Sequence, residues 1–222
     1  MSVARFAAAM DATDIELDVA CLAIASALQR PHDEIEWLAA LDLLAGECPT
    51  PTATGVARHL FSDLGFRGNS GAYYDWRNSC LDRVIETRVG IPITLSVLMI
   101  EVARRVGVAL VGVGMPSHFL VRTVEEPVRF FDPFDGGTEL DADGARRLFV
   151  QVTSGQVPWR DDFLMPTLAQ TVVIRVLNNL RAIFQDRGDR LRLALVMEMR
   201  SRIPQLARSE RDAIAGATAV FN

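Results

Sequence analysis

Between Gly90 and Gly107 the chain is apolar on almost every side. Ile91-Pro92-Ile93-Thr94-Leu95-Ser96-Val97-Leu98-Met99-Ile100 is closed only by Glu101. A helix that is hydrophobic all round has no face to give to water, so other elements must enclose it. Pro92 suits its first turn, where a missing N–H costs no helical hydrogen bond, and Gly107 suits its end. The run falls well short of the roughly 20 residues that a membrane span needs. The expectation is a soluble fold wrapped around this one helix.

After Gly107 the apolar period changes from helical spacing to strand alternation. Ala109–Gly114, His118–Thr123 and Val128–Phe131 are expected as three short strands, with Pro127 in the turn after Glu125-Glu126. Asp132-Pro133-Phe134-Asp135-Gly136-Gly137 is a turn-rich exit, and Asp141 or Asp143 caps a helix through about Val152. Upstream, the chain reads as helices. Asp14 would cap a run with Ile15, Val19, Leu22 and Ala23 on one face. Pro31 would open a second, with Ile35, Leu38, Leu41, Leu43 and Leu44 inside, and a third runs from about Thr54 to Leu64. Arg67–Gly71 is a loop, and Asn78 or Ser79 would cap Cys80–Arg88. Helices return from about Leu168 to Asp186 and from Leu191 to Arg202, where Pro204 ends the run, and Ser209 begins a short last one. They resemble one helix pair of a repeat protein, without a second copy. The expected fold is α+β: a central buried helix against a small antiparallel sheet, N-terminal helices and a helical C-terminal tail. Residues 1–165 would form the main domain and 166–222 the tail.

Composition narrows the chemistry. The net charge of −5 argues against a non-specific phosphate surface, so neither nucleic acid nor membrane is expected as a partner. All 23 basic residues are arginines, which excludes a Schiff-base or Walker-type lysine within this chain. Cys21, Cys48 and Cys80 are odd in number and far apart. That pattern fits a reducing compartment rather than a disulfide scaffold. With one basic residue and no long apolar core near Met1, no signal peptide is expected, and the predicted location is the cytoplasm.

Four segments carry a more specific signal: Arg77-Asn78-Ser79-Cys80-Leu81, Gly90-Ile91-Pro92-Ile93-Thr94-Leu95, Pro116-Ser117-His118-Phe119-Leu120-Val121, and Asp132-Pro133-Phe134-Asp135-Gly136-Gly137. In this order they resemble the SirB-type transglutaminase-like family, a bacterial group whose domain also occurs in a eukaryotic F-box protein. The stretch Arg175–Phe184 with Gly188-Asp189 is similar to the start of that family's tetratricopeptide-like end, here cut short. The resemblance implies a transglutaminase-like, papain-like core. Active members of the parent fold set a cysteine at the N-terminus of the central helix, where the helix dipole favours thiolate. A histidine at the start of one strand takes its proton, and an acid or amide at the end of the next fixes the imidazole.

On that template His118 matches the histidine and Asp132 the acid. The nucleophile slot, two residues after Gly90, falls on Pro92, which has neither thiol nor hydroxyl. Other nucleophiles are poor substitutes. Cys80 lies across the Gly90 break and reads as a packing residue; Thr94 projects about 200° around the helix from Pro92 and reads as satisfied against a backbone carbonyl. Ser117 would point to the face opposite His118. His32 and His59 read as surface residues. His118 and Asp132 could equally be a structural tie between strands. Three metal ligands from one hairpin (His118, Asp132, Asp135) are too few and too local, so no metal or cofactor is expected. Tyr73-Tyr74-Asp75-Trp76-Arg77 is the densest aromatic patch, a composition favoured at interfaces. The expected groove therefore draws on Tyr73, Tyr74, Trp76, Asn78, Cys80, Thr94 and Ser117. The expected function is a protein- or peptide-binding regulatory module without cysteine catalysis. The rival is a hydrolase or acyltransferase using His118 and Asp132 with a displaced nucleophile or activated water.

Overall fold

The computed structural model describes residues 2–29 and 34–207. Three helices come first: α1 (Ser2–Met10), α2 (Leu17–Leu28) and α3 (Glu34–Gly46). A fourth, α4 (Ala53–Ala57), is capped by Thr52, whose side chain accepts from the Gly55 N–H, and continues as a wider π turn over Arg58–Asp63. A two-residue strand, β1 (Arg67–Gly68), leads to a 3-10 turn at Trp76–Ser79 and then to α5 (Leu81–Thr87). β2 (Val89–Gly90) pairs with β1 in parallel and runs into the central helix α6 (Pro92–Arg105).

Every residue of α6 from Pro92 to Ala103 is buried, as its all-round hydrophobicity demands. Its polar end is absorbed by an ion cluster. Asp18 of α2, fully buried, receives Arg104 and Arg105 at 3.2 and 2.6 Å; Glu101 receives the same two arginines, and Asp42 of α3 takes Arg105 at 2.7 Å. Burial, followed by the neighbouring Asp18 charge, pushes the Glu101 carboxyl above its ordinary range.

The chain then forms one antiparallel sheet, in the order β3 (Leu110–Val113), β4 (Leu120–Thr123), β5 (Phe130–Asp132) and β6 (Thr138–Leu140). The three expected strands are present. The fourth, β6, was hidden by its short, polar sequence. It forms because Gly136 and Gly137, at φ +63° and +74°, turn the chain back so that Thr138 pairs with Asp132. Asp141 caps α7 (Ala142–Val152) by accepting from the Gly144 N–H, and a 3-10 turn follows at Asp161–Leu164. Two helices complete the described chain: α8 (Ala169–Asp186) and α9 (Arg190–Ser201), the latter capped by Asp189.

Strand alternation divides the apolar side chains between two faces. Phe119, Val121 and Phe131 join a large core with α2, α6, α8 and α9. Leu120 and Phe130 join a smaller one with Phe149 of α7, flanked by Trp159 and Phe163. Five local expectations need correction. Arg67 and Gly68, expected in a loop, pair as β1 with Val89 and Gly90. Glu16, not Asp14, occupies the cap position of α2, and it makes no side-chain cap bond. Ile35 and Leu43 are exposed; apolar residues circle α3, and only the side of Leu41 and Ala45 meets the core. Cys80, not Asn78 or Ser79, precedes α5, because those two residues are spent in the 3-10 turn. His59 is buried, with its Nε2 bonded to the Leu44 carbonyl at 3.0 Å. His32, Pro31 and the helix expected from Ser209 lie outside the described residues.

Candidate functional site

The site is built on the entrance to α6. Ile91 stands at the cap position and has no side-chain acceptor to offer, so Thr94 supplies one: its Oγ1 accepts from the Ile91 N–H at 3.3 Å and donates to the Asn78 carbonyl at 2.6 Å. Asn78 relays this order outward. Its Nδ2 donates to the Ala72 and Tyr73 carbonyls, and its Oδ1 accepts from Asn69. The 69–73 loop is thereby held with Tyr73 over the groove.

The opposite bank comes from the sheet. Ser117, in the left-handed region at φ +63°, ends a tight turn in which the His118 N–H bonds to the Met115 carbonyl. His118 stands two residues before β4, and Asp132 ends the adjacent β5. Their side chains meet: His118 Nε2 lies 2.9 Å from Asp132 Oδ2, with both residues buried. The other oxygen, Asp132 Oδ1, accepts from the Phe134 N–H at 3.0 Å and the Asp135 N–H at 3.4 Å. One carboxylate therefore folds the turn and holds the ring. Since a carboxylate can only accept, Nε2 carries a proton, and in the neutral ring the lone pair therefore falls on Nδ1. Phe134 meets the His118 ring edge-on at 6.3 Å and Tyr73 at 5.8 Å. Gly68 permits this: a Cβ there would sit 2.5 Å from the Phe134 ring.

Pro92, His118 and Asp132, the three positions expected to converge, line one groove of about 730 Å³ with Tyr73, Ser117 and Phe134. A narrower lobe of about 210 Å³ extends from it between Ser117, Arg175 and Asn179. A third lobe, about 390 Å³ and mainly apolar, continues along α8 past Ile91 and Ile183. Tyr73 borders all three, so the lobes adjoin.

Four of the expected groove residues face the interior instead. Trp76 is buried against Phe184, with the Arg192 guanidinium 4.6 Å from its ring centre, and so anchors α8 and α9. Thr94 spends its hydroxyl on the backbone, and Asn78 spends its amide on the Ala72 and Tyr73 carbonyls and on Asn69, as above. Cys80 is fully buried with its Sγ towards the Trp76 carbonyl, and burial pushes its thiol well up. Cys21 is likewise buried and pushed up, while Cys48 hydrogen-bonds the Thr50 carbonyl. No cysteine borders these three lobes. Sequence reasoning missed Phe134, Arg175 and Asn179 as lining residues. The i, i+4 spacing of Arg175 and Asn179, which sets two polar heads on one helix face, was the available signal. Among the described residues, no group of three or more His, Cys, Asp or Glu is arranged to hold a metal, and no helix is long and apolar enough to cross a membrane.

A buried central helix whose N-terminus faces a histidine–acid pair at the ends of neighbouring strands is the layout of a transglutaminase-like domain. The chain belongs to the transglutaminase-like superfamily, which matches residues 15–178. It is similar to a UPF0162 protein of Xylella fastidiosa (strain Temecula1), 45% identical over 143 residues, covering 61% of this chain and 50% of the relative. A UPF0162 protein of Vibrio cholerae is 29% identical over 135 residues, covering 55% of this chain and 49% of that one. F-box only protein 21 of Mus musculus is 46% identical over 63 residues, covering 28% of this chain and 10% of its own length. The chain thus spans about half the length of the bacterial relatives it matches. No solved structure matches it.

Proposed function

We propose that this is a SirB-type transglutaminase-like domain that binds a protein or peptide segment in its cleft without cysteine-dependent catalysis. One observation carries the reading: the ring of Pro92 occupies the helix entrance beside an otherwise intact His118–Asp132 pair. A proline cannot attack a carbonyl. The adjoining lobes and their mixed aromatic and polar lining suit a chain segment that sets a side chain in each. The three free cysteines fit the reducing cytoplasm as its working place. The rival reading, a hydrolase or acyltransferase, draws on the same pair, since a neutral imidazole oriented by a carboxylate can act as a general base.

The test is chemical. Wild-type protein treated with broad thiol and serine electrophiles should show no labelling that depends on His118. Labelling abolished by His118→Ala, and traced by Cys80→Ala or Thr94→Ala, would overturn the binding-module reading. Pro92→Cys should restore a reactive thiol. A pKa lowered by about one unit at the helix N-terminus gives roughly eightfold more thiolate near neutral pH. Iodoacetamide rates against pH read this directly, and a rate no faster than a free surface thiol would show that position 92 does not address the imidazole.

A further inference from the structure

Arg175 is the one charged side chain of the narrow lobe. No carboxylate among the described residues pairs with it. Its Nη2 donates to two neutral acceptors, the Met115 carbonyl at 2.8 Å and the His118 carbonyl at 3.1 Å. Its Cζ lies 5.3 Å from the centre of the Phe119 ring. Gly114 makes room for it, since a Cβ there would stand 2.8 Å from Nη1. A guanidinium carries five N–H donors, and these contacts use one of its nitrogens. Burial lowers its pKa, as expected of a cation taken from water without a counter-charge. Around it the lobe offers the Ser117 hydroxyl and the Asn179 amide, neither hydrogen-bonded to any described residue.

We propose that this lobe receives a carboxylate of a bound peptide, with Arg175 as the cation and Asn179 and Ser117 as further donors, while the adjoining lobe along Ile91 and Ile183 takes an apolar side chain. The inference rests on the peptide-binding reading above and names its chemistry. A planar carboxylate matches the guanidinium fork. A phosphate matches less well: its second negative charge would meet a single cation, with Asp132 and Asp135 on the neighbouring groove wall. The carboxylate could be a chain terminus or an acidic side chain.

The probes are N-acetylated dipeptides: Leu-Leu as free acid and as amide, and Leu-Glu amide against Leu-Gln amide. Binding is read from the NMR resonances of the His118 ring and the Arg175 Nε–H. Both carboxylate probes, or one of them, should bind at least tenfold more tightly than the matched neutral probe, and which of the two does so identifies the source. Arg175→Gln should remove the difference. Because that change also strips two carbonyls of their donor, Asn179→Asp is the companion variant. It keeps those contacts and sets a competing carboxylate one turn along α8, and it should remove the difference too. Equal binding of acid and neutral probes, insensitive to either variant, would overturn the carboxylate site and leave a peptide groove standing. So would tighter binding of inorganic phosphate than of acetate. No shift with any probe at about 10 mM would overturn the carboxylate site, while the groove reading is decided by the electrophile test. Turnover of a probe would overturn the binding-module reading and leave Arg175's assignment intact.

Discussion

Asp132→Asn separates the two tasks of one carboxylate. The asparagine Oδ1 can still accept from the Phe134 and Asp135 N–H groups, so the 3-10 turn keeps its cap. Its other atom becomes an NH2 facing His118 Nε2, where the wild-type distance to the acceptor is 2.9 Å. Two donors cannot share that line. The ring must give up the Nε2 proton and carry it on Nδ1 instead. A hydrogen bond to a charged acceptor contributes about 1.5–3 kcal/mol and a neutral one about 0.5–1.5, so the expected loss is about 1–1.5 kcal/mol. For a domain of this size that is a fall in Tm of roughly 2–6 °C. Asp132→Ala should cost more, because it leaves three donors without their acceptor, those of buried His118 and half-buried Phe134 among them. Long-range 1H–15N spectra distinguish the tautomers, and His118→Gln assigns the signals. An unchanged Nε2–H tautomer in Asp132→Asn, or equal stability of the asparagine and alanine variants, would refute the reasoning. The same switch removes the ring's free lone pair from Nδ1, so a Pro92→Cys/Asp132→Asn double variant should alkylate more slowly than Pro92→Cys alone.

Leu98→Ala should destabilise by about 2–5 kcal/mol in chemical denaturation, since Leu98 is fully buried in α6; a negligible change would place the core elsewhere. Ser96→Ala should go the other way. Its hydroxyl is buried with no partner among the described residues, so removing it should stabilise by about 1 kcal/mol, and a lowered Tm would reveal a hydrogen bond. Asp189 is held below the ordinary carboxylate range, first by the Arg192 N–H and then by its side chain. A depressed pKa stabilises the fold above the unfolded value, and that contribution is lost as pH falls through the folded one. Asp189→Ala should therefore cost about 0.5–2 kcal/mol near pH 7, with the gap to wild type narrowing below about pH 4. A gap that stays constant in thermal melts over that range would refute it.

How much of this was legible depended on where the information sits. The apolar belt of α6 and the period change after Gly107 are local patterns, and they predicted the helix and three strands. Asp141 and the turn at Asp132 follow from short-range capping chemistry. What failed was long-range. Which side of α3 meets the core depends on α2 and α6, so Ile35 and Leu43 were misassigned. Thr94 does find a backbone carbonyl, but that of Asn78, 16 residues away, and the Asn78 side chain is spent on Asn69, Ala72 and Tyr73 rather than on the groove. Arg175 is brought to His118 across 57 residues, a distance over which no periodicity speaks. His118, Asp132 and Pro92 were found because each marks the start or end of a local element.

Arg175 has one last consequence. By donating to both Met115 and His118 from α8, it fastens the far end of the chain to the bank that bears the imidazole. Anything gripping both banks at once would act as a clasp on the α8–α9 pair. Occupancy and helix docking then become linked equilibria, and tight recognition at the cleft must slow hydrogen exchange in helices well beyond it.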